Sequence, residues 1–62
     1  MKLIVEGMTC QNCVRHVREA LESLPGATDV QVNLETGEVT ASGIEKHDAI
    51  AAILDQGYRV TP

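Results

Sequence analysis

The chain has 62 residues, with nine acidic side chains against five basic ones and a formal net charge of −4. That surplus repels phosphate backbones and anionic lipid alike, which argues against nucleic acid as a partner; no apolar stretch approaches the roughly 20 residues that span a bilayer, and MKLIVEGM lacks the apolar region and cleavage site of a secretory signal. With no Phe, no Trp and one Tyr, the interior must be built from Val, Leu, Ile and Ala, which leaves little room for an organic substrate and points away from an enzyme.

These bounds predict a single domain over residues 1–62 in the cytoplasm, without membrane insertion. A core this small supplies only about 3 to 5 kcal/mol unless something staples it. A bound ion is one such staple.

Lys2–Glu6 alternates with Leu3 and Val5 on one side and Ile4 on the other, the pattern of a half-buried strand. Val14, Val17, Leu21 and Leu24 recur at helical spacing from near Gln11, with Arg15, His16, Arg18, Glu19 and Glu22 on the outer faces; Pro25 and Gly26 stop this first helix. Val30, Val32 and Leu34 alternate with Asp29, Gln31 and Asn33, and after the turn residues Glu35, Thr36 and Gly37 the pattern resumes at Val39 and Ala41, which reads as a hairpin broken by Ser42 and Gly43. Ala49, Ile50, Ile53 and Leu54 mark a second helix ending at Gly57, and Tyr58–Thr61 reads as a last short strand.

Strand, helix, strand, strand, helix, strand predicts an α+β, ferredoxin-like βαββαβ sandwich, with a four-stranded antiparallel sheet and both helices on one face. In that topology the loop before the first helix and the loop after the second share one end, so Tyr58 should approach the loop that carries Cys10 and Cys13.

Those cysteines, in GMTCQNC, are the chemically informative residues. One thiol from the loop and another from the first helical turn converge on a soft ion, because thiolates are the ligands such ions prefer. Unsatisfied N–H groups at the helix start favour thiolate at Cys13. A disulfide is the weaker alternative, since two intervening residues close a small, strained ring.

GMTCQNC, LPGA, VQVNLETGEVT and DQGYRV together resemble the heavy-metal-associated (HMA) domain family across nearly the whole chain, and DQGY is similar to the bacterial copper chaperones of that family. The resemblance implies monovalent copper, Cu(I), as cargo and a copper-transporting P-type ATPase metal-binding domain as receiver, with a copper-responsive repressor as a further partner. The ligand inventory argues the same way. Cu(I) accepts two thiolates near linearity, whereas zinc wants four ligands, and His16 and His47 lack the paired spacing of a zinc finger.

The metal ligands are therefore expected to be Cys10 and Cys13, with no catalytic residue. By resemblance, Tyr58 shields the thiolates and Met8 points beneath the loop as core filler. Thr9 is expected in the turn or as a helix cap, His16 and His47 as solvated side chains, and Arg15 and Arg18 either as a solvated face or as a patch that steers toward an acidic partner. The competing functions are a metal-binding domain cut from a copper P-type ATPase, a mercury-binding protein and a thiol oxidoreductase. Against the last stand the short chain and Gln11–Asn12 in place of the usual Gly–Pro. Monomer and metal-bridged dimer both stay open.

Overall fold

The computed structural model describes residues 1–61. Strand β1 (Lys2–Glu6) leads through a short loop into helix α1 (Gln11–Glu22); β2 (Thr28–Val32) and β3 (Glu38–Ser42) form a hairpin; helix α2 (Lys46–Asp55) and strand β4 (Arg59–Thr61) complete the order. The four strands make one antiparallel sheet in the order β2-β3-β1-β4, the ferredoxin-like arrangement that the sequence predicts.

Leu3 and Val5 of β1 and Val39 of β3 form one buried cluster with Val17 and Leu21 of α1 and Ala49 and Ile53 of α2, and Val14 and Ala41 are buried as well. Each fully buried Val, Leu or Ile side chain contributes about 1.5 to 3 kcal/mol relative to exposure. Helix α1 earns its place through a sharp division: Arg15, His16, Arg18, Glu19 and Glu22 are all exposed on its outer side.

Several details depart from expectation, among them Tyr58, which precedes β4 where the sequence pattern has it open the strand. Leu34 lies beyond β2, in the turn, because the Asn33 side chain accepts the backbone N–H groups of Glu35 and Thr36 at 2.9 and 3.2 Å and closes the chain one residue early. Ser42 belongs to β3, paired with Thr28, so the break falls at Gly43. Leu54 is 53% exposed: α2 reads KHDAIAAILD, apolar over much of its circumference, so its inward face is set by packing rather than by its own period.

The two ends of the sheet differ. At one, β1 runs out into the Gly7–Cys10 loop, flanked by the 33–37 turn and the approach to β4; Gly37 donates to the Asn33 carbonyl at 2.8 Å, and its own carbonyl accepts from Val5 N–H at 2.8 Å. At the other, the Met1 ammonium donates to the Ala41 carbonyl at 2.9 Å. There Gly26 and Gly43 approach so closely, both at positive φ, that a Cβ added to Gly43 would lie 1.9 Å from the Gly26 carbonyl oxygen. Since β1 and β4 are antiparallel, with Ile4 opposite Thr61, the chain enters β1 and leaves β4 at this second end.

Candidate metal centre

Cys10 is the N-cap of α1, in extended conformation at φ −157°. Its carbonyl accepts the N–H groups of Cys13 and Val14 at 3.1 and 3.3 Å, so the first helical turn carries Cys13 back over the loop. The two Sγ atoms come to 3.8 Å of each other. Both thiols are free, Cys10 exposed and Cys13 half-exposed. A disulfide would need about 2.05 Å.

Thr9 supplies no side-chain cap to the helix, contrary to one expectation. Its hydroxyl instead faces Cys13 Sγ at 3.9 Å. Hydrogen bonds to its sulfur hold the Cys13 thiol down at about 6, chiefly one from the Thr9 backbone N–H, then one from the Tyr58 hydroxyl; Cys10 and the Thr9 hydroxyl add to this, while partial burial opposes it. The thiolate donor is therefore a loop amide as well as a helix start, which spacing alone does not reveal.

Tyr58 sits where the topology puts it, half-buried against the core and beside Cys13. Its hydroxyl is pushed up from a phenol's ordinary range, first by its hydrogen bond to the Cys13 sulfur, then by burial and by the two sulfurs' charge. Met8 packs against the core cluster, as expected of a filler beneath the loop.

His16, His47, Arg15 and Arg18 are exposed. Among the described residues, no group of three or more His, Cys, Asp or Glu side chains is gathered as a metal cage, so the two sulfurs leave a tetrahedral zinc shell half filled. Metal–thiolate bonds of about 2.3 Å put sulfurs about 4.6 Å apart across a linear ion. The observed 3.8 Å reaches that separation by less than an ångström of movement in an exposed loop, so the donor set fits a two-coordinate soft cation. Among the described residues, no helix is long and apolar enough to cross a membrane.

Comparison with known proteins concerns the chain as a whole. The family model described as "Heavy-metal-associated domain" matches residues 2–59. The chain is 45% identical over 62 residues to the copper chaperone CopZ of Bacillus subtilis, covering 94% of this chain and 90% of that one. It is 44% identical over 59 residues to copper-transporting ATPase 1 of Rhizobium meliloti, covering 90% of this chain but spanning only 7% of the ATPase. A solved structure of a CopZ metallochaperone superposes with a TM-score of 0.92 at 40% identity, covering 98% of this chain and 97% of that one.

Proposed function

The chain belongs to the heavy-metal-associated domain family, and from that premise we propose that it is a Cu(I) chaperone holding one ion between Cys10 and Cys13 and passing it on by ligand exchange. The observation that carries the reading is the pair of free sulfurs 3.8 Å apart on an exposed loop. The similarity to CopZ over nearly the full length of both chains supports copper as the cargo.

The exchange follows from the asymmetry of the pair. Cys10 is exposed, whereas Cys13 receives hydrogen bonds from Thr9 and Tyr58. A thiolate of the receiver attacks the cation from the open side and forms a three-coordinate intermediate. Cys10 departs first as thiolate, and Cys13 follows when the second receiver thiolate arrives. Two thiolates replace two thiolates, so copper keeps its oxidation state and no group acts as catalyst.

The receiver in this reading is a metal-binding domain of a copper-transporting P-type ATPase in the cytoplasm. Exposed Arg15 and Arg18 on α1 lie within two turns of Cys13 and suit an acidic docking surface. Arg15→Glu with Arg18→Glu should slow transfer and flatten its salt dependence; unchanged rates would remove the patch from the account. The similarity to the ATPase of Rhizobium meliloti favours a second reading, in which this chain is itself such a receiving domain. The intact mass of the natural protein separates the two.

The deciding experiment is an anaerobic Cu(I) titration of reduced protein against a chromophoric chelator. One equivalent should be withheld from the chelator by wild-type protein and none by the variant with Cys10→Ser and Cys13→Ser. A wild-type protein that cannot compete, or a serine variant that can, overturns the proposal.

A further inference from the structure

The loop that carries Cys10 leaves the sheet at a point held from both sides. On one side Glu6 pairs with Arg59 of β4; on the other the Val5 N–H donates to the Gly37 carbonyl at 2.8 Å. The Val5 side chain is buried in the core cluster, so this last stretch of β1 cannot slide to relieve a strain placed upon it. From here the chain crosses toward α1, which packs against β2. In the sheet order β2-β3-β1-β4 that crossing passes the end of β3, where the 33–37 turn joins β3 to β2. Gln11, the first residue of α1, and Asn33, Leu34 and Glu35 of the turn line one cleft. One turn thus stands beside both ends of the loop.

The turn is a stiff piece. Asn33 N–H donates to the Glu38 carbonyl and Gly37 N–H to the Asn33 carbonyl, each at 2.8 Å. The Asn33 side chain accepts the N–H groups of Glu35 and Thr36, and Glu38 N–H donates to the Thr36 hydroxyl at 3.2 Å. Among the described residues Gly37 is the one buried glycine, and its φ of +76° is natural to glycine. A Cβ there would lie 2.6 Å from the Val5 carbonyl oxygen, well inside contact distance. That oxygen belongs to the peptide leading into Glu6 and the loop, so no side chain can swing aside to relieve the clash. Either the turn lifts or that peptide rotates.

Building on the cargo role proposed above, we propose that Gly37 is a positioning residue for the metal loop, its missing side chain letting the turn clasp the last peptide of β1 and so fix the take-off that brings Cys10 to Cys13. Gly37 touches neither sulfur nor cargo in this account. It acts because a ligand that must be gathered on binding costs affinity that a preset one does not.

The test is a chelator competition for Cu(I) on Gly37→Ala, set against Gly43→Ala, which makes a closer backbone clash, at 1.9 Å, at the opposite end of the sheet. Urea melts of each variant give the folded fraction to which the affinities refer. Gly37→Ala should weaken Cu(I) affinity about tenfold, as disturbing the support of a metal ligand does, while Gly43→Ala stays within about twofold of wild type. A Gly37→Ala affinity equal to wild type, or equal losses in the two variants, overturns the proposal. Should Gly37→Ala fail to fold, Asn33→Ala loosens the same turn from an exposed position. It should weaken affinity about threefold, and Asn33→Asp, which keeps an acceptor for both N–H groups, should restore it; an Asn33→Ala affinity equal to wild type then overturns the clasp.

A second readout needs no copper. In apo protein the backbone amide resonances of residues 7–10 should move in Gly37→Ala or Asn33→Ala and stay in place in Gly43→Ala; resonances that stay in place in all three overturn the clasp. Wild-type protein that binds no Cu(I) overturns the cargo reading and the positioning role with it, while these resonances still decide whether the clasp sets the loop.

Discussion

The two ends of the sheet solve opposite problems. Far from the cysteines, Gly26 and Gly43 press backbone against backbone at a spacing no side chain tolerates, and the Met1 ammonium is tied to Ala41 at 2.9 Å. At the cysteine end Gly37 is still held by backbone bonds of 2.8 Å, but the contacts at the sulfurs are long and polarisable: sulfur to sulfur at 3.8 Å and hydroxyl to sulfur at 3.9 Å. Rigid packing stands where nothing has to move, and soft contacts stand where, in the proposed role, an ion arrives and leaves. Stability and exchange are thereby assigned to separate regions.

The sharpest way to break that division is to change each end and look for consequences at the other. Replacing both Cys10 and Cys13 by Ser should weaken Cu(I) affinity by at least about a thousandfold, while below about pH 6, where the Cys13 thiol is protonated, the apo protein unfolds within about 0.5 kcal/mol of wild type, as expected for substitutions outside the core. A large loss of apo stability would show that the cysteine end helps to hold the fold.

The reciprocal change is Gly43→Ala, which drives a methyl toward the Gly26 carbonyl at a positive φ. It should cost about 3 kcal/mol in a urea melt, yet leave the copper affinity of the folded fraction unchanged. An unaltered melt would mean that the close approach relaxes without cost.

A smaller effect links the ends through pH. The folded Cys13 thiol is depressed from 9.0 to about 6, so the native state binds fewer protons at this site than the unfolded chain does between those values. The resulting stabilisation is complete above about pH 9 and is lost as pH falls through about 6. Urea midpoints should drop between pH 9.5 and pH 5.5, and Cys13→Ser should reduce that drop; an identical drop in the variant would remove Cys13 as its source.

The smallest expected effect concerns α2. Leu54→Ser should change stability by no more than about 0.5 kcal/mol, because this side chain is 53% exposed. A loss of 2 kcal/mol or more, about what a buried leucine costs, would place Leu54 in the core after all.

What the sequence disclosed followed from strength of period. Leu3 and Val5 alternate cleanly, and Val14, Val17 and Leu21 recur on one stripe, so β1 and α1 were legible, and with them the topology that brings Tyr58 to the cysteine loop. Where the local pattern was degenerate, it misled: AIAAIL offers several apolar stripes, and only packing turned Ile53 inward and Leu54 outward. Leu34 continued the alternation of β2, but the Asn33 side chain had already closed the turn.

At the site, GMTCQNC announced the sulfurs, whereas their surroundings depended on relations between distant residues. The Thr9 contact to Cys13 requires the loop's fold, since a threonine before a helix ordinarily signals a cap. Gly7 read as punctuation, an exit from a strand; that the Tyr58 ring packs beside it, 3.4 Å from where a Cβ would stand, depends on how the chain after α2 folds back. The positive φ of Asp29, in the irregular stretch between the Thr28 and Gln31 pairings, carried no mark in an otherwise regular alternation.

Because β1 starts and β4 finishes at the rim opposite the sulfurs, any polypeptide spliced to either strand departs away from the cargo. Beads of this fold threaded on a string, or one bead leashed to a larger machine, would all keep their grip turned outward, and lengthening the leash would alter how often two grips meet without altering how either one closes.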